Sequence, residues 1–126
     1  MTTNKAIIWT ISGADCSGGA GIAADIKTAH ALGVEVCSLI TANTVQNSTK
    51  LLSINPTEIA ILAEQAQALR FDKPPRAIKI GLIANSAQIN WLVNLLSELK
   101  QQITDLIVVY DPVGQASVGG NFHSLS

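Results

Sequence analysis

A-I-I-W-T-I-S-G-A-D-C-S-G-G-A-G-I-A-A-D-I-K-T-A-H-A-L-G-V-E-V-C-S-L-I-T-A, from Ala6 to Ala42, decides the fold. Ala6 to Ile11 is a short apolar run rich in β-branched residues that ends at Ser12-Gly13, which reads as a strand. Asp15 to Gly21 is a loop dense in glycine. From Ile22 to Leu32 the apolar positions Ile22, Ala23, Ile26, Ala29 and Ala31 suit a helix, and Gly33 stops it. Val34 to Ala42 is a second strand. Strand, loop, helix and strand in this order point to a parallel pair joined by a crossover helix.

The same alternation continues downstream. Asn43 to Lys50 is polar and reads as a loop, and Leu51 to Ile54 adds a small strand. Asn55-Pro56-Thr57-Glu58 is a helix start, with Asn55 or Thr57 as cap and proline in the first turn. Ile59, Leu62, Ala63, Ala66 and Leu69 carry that helix, and Lys73-Pro74-Pro75-Arg76 breaks the chain. A third core strand lies near 77–81. Ser86 caps a helix carrying Ile89, Leu92, Val93, Leu96 and Leu99. Leu106 to Tyr110 is a fourth core strand, and Val113 to Ser126 has no period. The pattern predicts an α/β fold, a mostly parallel sheet with helices on both faces. A strand as apolar as Leu106–Tyr110 wants cover on both faces. Residues 1–126 therefore read as the front part of a longer α/β domain. The exposed strand implies self-association or low stability.

Composition narrows the function classes. The chain has 126 residues, 48% hydrophobic and 13% charged, with a formal net charge of −1. Disorder needs the opposite balance, and nothing here favours nucleic acid or an anionic membrane as partner. No run of about 18 apolar residues occurs, and the N-terminus lacks the apolar core of a signal peptide. Cys16 and Cys37 are 21 positions apart and make no zinc pattern with the two histidines. Both read as reduced thiols of a cytoplasmic protein.

In doubly wound folds ligands sit outside the carboxyl ends of the strands. Here those ends are Ser12-Gly13, Ala42 to Gln46, Gly81-Leu82 and Asp111-Pro112. The loop Gly13–Gly21 lets backbone approach a ligand before a helix N-terminus, which favours anions. It fails the P-loop pattern, since no lysine followed by Ser or Thr closes it. Gly19-Ala20-Gly21-Ile22-Ala23-Ala24 fits the dinucleotide pattern only weakly, because the second strand ends Leu39-Ile40-Thr41-Ala42 with no acid. The plain alternative is a tight turn. Asp25, four residues after Gly21, could hold a hydroxyl or amino group; otherwise it is a first-turn acid favoured by the helix dipole. Gln46 and Asn47 can each donate and accept, which suits the edge of a heteroaromatic ring, or else belong to an ordinary polar loop. Asp111 could place a metal or a phosphate, or cap a backbone amide. His30 and His123 have no role assigned, and Trp9 and Trp91 read as packing residues.

Taken in order, the segments Ile11–Thr28, Ala31–Ser48 (A-L-G-V-E-V-C-S-L-I-T-A-N-T-V-Q-N-S), Ala77–Ala84 (A-I-K-I-G-L-I-A) and Val108–Val113 (V-V-Y-D-P-V) resemble the hydroxymethylpyrimidine/phosphomethylpyrimidine kinases of thiamine biosynthesis. The resemblance implies a ribokinase-like three-layer fold. It also implies ATP- and Mg2+-dependent phosphorylation of 4-amino-5-hydroxymethyl-2-methylpyrimidine and then its monophosphate. It places Gly13, Asp25, Thr44, Gln46, Leu82 and Val113 in the pyrimidine pocket and Asp111 by the phosphates and the magnesium ion. Leu82 would pack on the ring, where the family often has Met. Two departures stand out: the family's D-P-V-M reads Asp111-Pro112-Val113-Gly114, and its S-G-D reads Val118-Gly119-Gly120. The family's second glycine-rich anion hole, catalytic base and most of its nucleotide pocket fall beyond Ser126, so these 126 residues alone are expected to be inactive. A pyridoxal kinase of the same superfamily is the alternative substrate reading. A non-catalytic domain binding a small molecule or a partner protein is the alternative class, and a dinucleotide-dependent dehydrogenase ranks third.

Overall fold

The computed structural model describes residues 5–111. They form β1 (Ile7–Asp15), α1 (Gly21–Ala31), β2 (Glu35–Gln46), β3 (Leu51–Pro56), α2 (Ile59–Asp72), β4 (Ala77–Ile80), α3 (Ser86–Gln102) and β5 (Ile107–Tyr110). One five-stranded sheet runs in the order β3-β2-β1-β4-β5. The four core strands pair in parallel, β1 with β2 and β4, and β4 with β5. Only β3 is antiparallel, against β2.

β1 occupies the centre because its residues suit burial on both sides. Trp9, Thr10, Ile11 and Ser12 are all buried. The chain steps from β1 to β2 in one direction along the sheet, and from β2–β3 to β4 and β5 in the other. Right-handed crossovers then put α1 on one face and α2 and α3 on the opposite face. The core follows that division. Trp9, Ile11, Leu39, Ile78 and Ile80 pack with Leu62 and Ala66 of α2 and Leu92, Leu95 and Leu99 of α3. A fully buried aliphatic side chain of this kind contributes on the order of 1.5–3 kcal/mol. The α1 face is more polar and carries Thr10 and Lys79, which both reach Asp25 of α1.

Four local expectations are corrected. Asn43–Gln46 is strand: β2 continues and turns back on β3 as a hairpin, with Asn47 Oδ1 accepting from the backbone N–H groups of Thr49 and Lys50. The sequence reads polar there because one side of the hairpin faces water; Thr44 is buried while Asn43 and Val45 are exposed. Asn55 and Pro56 end β3, an edge strand that tolerates proline, and α2 starts after Glu58 with no side-chain cap. Asn85, not Ser86, caps α3, its Oδ1 accepting from Gln88 N at 2.9 Å. Ile26, Ile89 and Val93, part of the apolar spacing that marks the helices, are exposed, so not all of that spacing is core. Trp9 is a packing residue whose Nε1 donates to the Lys73 carbonyl, and neither cysteine is in a disulfide.

Candidate small-molecule site at the carboxyl ends of the strands

A cavity of about 270 Å³ opens where β1, β2, β4 and β5 end, beside the start of α1. Gly13, Asp25, Thr44, Gln46, Leu82 and Asp111 all line it, brought from β1, α1, β2, the loop after β4 and the position after β5. Val113 lies outside the described residues, as do His123 and Gly114. Asp15 and Lys79 also face the cavity, and sequence reasoning had singled out neither.

Its floor depends on two glycines. A Cβ on Gly13 would come within 2.8 Å of Leu82 Cδ2, so the missing side chain is what lets Leu82 lie over the end of β1. The β1–β2 register shifts at this residue, between Ser12 and Ala14. Gly21 opens α1 with φ +63°, and a Cβ there would overlap the Gly13 carbonyl oxygen. The loop therefore folds back onto β1, closing with a bridge between Ala14 and Gly21. Asp15 steadies it, accepting from Ser17 N at 2.9 Å and Ser17 Oγ at 2.6 Å.

The Leu82 backbone is held on both sides. Its N–H donates to Ser12 Oγ at 3.3 Å and its carbonyl accepts from Thr41 Oγ1 at 2.6 Å. Gly81 has no room for a side chain, since one would strike Ser12. Gln88, fully buried, completes the support: Oε1 accepts from Ala84 N, and Nε2 donates to the Thr41 and Thr57 carbonyls. These contacts join the β4–α3 loop to β2, a role that a glutamine inside a helix does not disclose.

Polar groups cluster on two sides. Thr44 Oγ1 donates to the Ala14 carbonyl at 2.8 Å and accepts from Gln46 Nε2 at 2.7 Å. That leaves the Gln46 Oε1 lone pairs, and one N–H of Nε2, for other partners. Asp25 is not a first-turn acid, because α1 begins at Gly21 with no acid in its first turn. Its carboxylate instead accepts from Thr10 Oγ1 at 2.5 Å and from Lys79 Nζ at 3.0 and 3.1 Å. Lys79 had a visible signal, a lone charge in the apolar strand A-I-K-I, whose burial demands a counter-charge.

Among the described residues no cluster of three or more His, Cys, Asp or Glu side chains forms a metal cage. Magnesium needs none, since it keeps several waters and takes one or two carboxylates plus substrate phosphates. Asp111 at the end of β5, its N–H donating to the Ile80 carbonyl at 2.9 Å, has the right chemistry for such a ligand.

Residues 15–125 match the family model described as phosphomethylpyrimidine kinase. The chain belongs to the phosphomethylpyrimidine kinase family. It is 36% identical over 124 residues to the hydroxymethylpyrimidine/phosphomethylpyrimidine kinase of Bacillus subtilis, covering 96% of this chain and 42% of that protein. Among solved structures, the phosphomethylpyrimidine kinase of Clostridium difficile superposes with a TM-score of 0.78 at 38% identity, over 85% of this chain and 48% of that one. Pyridoxal kinase from Staphylococcus aureus, in complex with AMP-PCP and pyridoxal, has a TM-score of 0.73 at 25% identity, over 86% of this chain and 40% of its own. The chain thus spans less than half the length of these relatives. The fold is the ribokinase-like α/β arrangement of this family, of which the chain forms part. No helix among the described residues is long and apolar enough to cross a membrane.

Proposed function

We propose that this chain carries the aminopyrimidine pocket of an ATP-dependent kinase that phosphorylates 4-amino-5-hydroxymethyl-2-methylpyrimidine and then its monophosphate. The observation that carries the reading is the convergence of Gly13, Asp25, Thr44, Gln46, Leu82 and Asp111 on one cavity in a chain of this family. Leu82 supplies an apolar face for a ring. The Gln46 amide presents an acceptor beside a donor, the complement of a 4-amino group next to a ring nitrogen. Asp25 accepts from the hydroxymethyl or amino group. Val113 belongs to the same pocket in this reading.

Phosphoryl transfer rests on positioning and on stabilising charge at the transferred group. Asp111 would hold a magnesium ion beside the phosphates, and the ion would supply charge neutralisation there. The second anion hole, the base and most of the ATP pocket are assigned to the part of the relatives that this chain does not span, so residues 1–126 alone bind without turning over. ATP as phosphoryl donor is supported by the AMP-PCP complex of the Staphylococcus aureus neighbour. Two unpaired cysteines suit a reducing compartment such as the cytoplasm.

Calorimetric titration of the 126-residue chain with the aminopyrimidine and, separately, with pyridoxal tests the reading. Heat from the aminopyrimidine that disappears in Gln46→Ala supports it. Tighter binding of pyridoxal transfers the assignment to the pyridoxal kinases, and binding of neither leaves the non-catalytic domain.

A further inference from the structure

Lys79 is the one cation among the described residues lining the cavity, whose lining also includes Asp15, Asp25 and Asp111. It stands on β4 between β1 and β5, with Ala77, Ile78 and Ile80 as its strand neighbours. Its side chain is 28% exposed and that of Asp25 is 19% exposed. The ammonium bonds both Asp25 oxygens, while Thr10 bonds Oδ2 alone. A carboxylate offers about four acceptor positions. Three are used here, so the open one is on Oδ1.

We infer that Lys79 is a positioning residue: with Thr10 it clamps the Asp25 carboxylate so that the open Oδ1 position faces the cavity and accepts the O–H or N–H donor of the ligand. The identity of the ligand rests on the pyrimidine-pocket reading. The clamp itself rests on the three bonds to Asp25. Lys79 then acts through Asp25 and does not touch the ligand.

The test is a double-mutant cycle on the 126-residue chain, reading affinity for 4-amino-5-hydroxymethyl-2-methylpyrimidine by calorimetry, with thermal melts to confirm folding. Lys79→Gln and Asp25→Asn should each weaken binding by about tenfold or more, the scale of a lost charge-assisted hydrogen bond. The double variant should bind no more weakly than Asp25→Asn alone. Losses that multiply would overturn the inference, since Lys79 would then contact the ligand directly. An unchanged affinity in Lys79→Gln would overturn it equally. If Lys79→Gln does not fold, Thr10→Val removes the other arm of the clamp at nearly constant shape, and the same cycle is read with it. A second readout needs no ligand: carbon NMR of the Asp25 side chain should show one rotamer in the native chain and averaging in Lys79→Gln. A single rotamer in both sinks the clamp. Averaging in the variant, together with no pyrimidine binding by the native chain, keeps the clamp and removes the pyrimidine reading instead.

Discussion

Gly21 and Gly33 both have a positive φ, +63° and +72°, in different surroundings. A Cβ on Gly33 meets nothing within 4 Å, whereas on Gly21 it falls on the Gly13 carbonyl oxygen, with the carbonyl carbon at 3.2 Å. Alanine at both sites therefore separates backbone strain from steric overlap. The left-handed conformation costs a non-glycine residue roughly 1–2 kcal/mol. Loss of glycine freedom in the unfolded chain returns about 0.4–1 kcal/mol. Gly33→Ala should thus cost about 1 kcal/mol. Gly21→Ala adds a forced backbone shift, typically about 1–3 kcal/mol, for a total of about 2–4 kcal/mol. In urea unfolding followed by far-UV circular dichroism, the gap between the variants should be about 2 kcal/mol, near 8 °C in Tm for a domain of this size. Gly21→Ala should also lose pyrimidine binding while Gly33→Ala keeps it, because only Gly21 lines the cavity. Equal destabilisation by the two variants would refute the claim that the loop is pressed against β1.

Replacing Gln88 by Leu leaves the Ala84 N–H and the Thr41 and Thr57 carbonyls without their partner, so urea unfolding should show a loss of about 2–4 kcal/mol. The hydrogen bond and charge of Glu35 raise the Lys73 amine above its ordinary 10.5. A raised folded value means that the ion pair stabilises fully below pH 10.5 and fades as pH climbs through the higher folded value. The Tm gap between the native chain and Lys73→Met should therefore hold at neutral pH and close only in that alkaline range. Burial lifts the Cys37 thiol above its ordinary 9.0, opposed by Lys73 and reinforced by Glu35. Because Cys16 is exposed, iodoacetamide at pH 8 should label Cys16 first by mass spectrometry, and faster labelling of Cys37 would contradict the packing around it.

The fold was largely legible because each core strand announces itself locally. Trp9 to Ile11, Cys37 to Ile40, Ile78 to Ile80 and Ile107 to Tyr110 are short apolar runs, and the periodic stretches between them make the three helices. What failed were boundaries where tertiary context overrides composition. Asn43–Gln46 is polar yet extended, since β3 supplies its backbone partners. Ser86 and Asn85 are both good caps, and only the reach of Asn85 Oδ1 to Gln88 N selects between them. The exposure of Ile89 and Val93 was hidden because a helical apolar stripe does not state how wide the covering layer is.

The candidate site was legible in its parts and not in its wiring. Gly13, Gln46 and Asp111 were visible because they stand where strands end, and Asp25 because it is an acid in a helix four residues after the glycine loop. The partner of Asp25 was not, since Lys79 is 54 positions away and no spacing rule links them. Topology makes that pair. Thr10 and Lys79 are register partners in the parallel β1–β4 pair, so they stand side by side on one face. The right-handed crossover from β1 to β2 lays α1 over that same face, which brings Asp25 to both donors. On either side, Trp9–Ile78 and Ile11–Ile80 are the neighbouring register pairs, and they point into the α2–α3 core. A slip of β4 by one residue would turn Lys79 into that apolar core and put an isoleucine against the Asp25 carboxylate. Burying an ammonium without a partner and leaving the carboxylate unmatched both oppose the slip. The residues that orient the cavity's carboxylate are thus also residues that hold β1 and β4 in register.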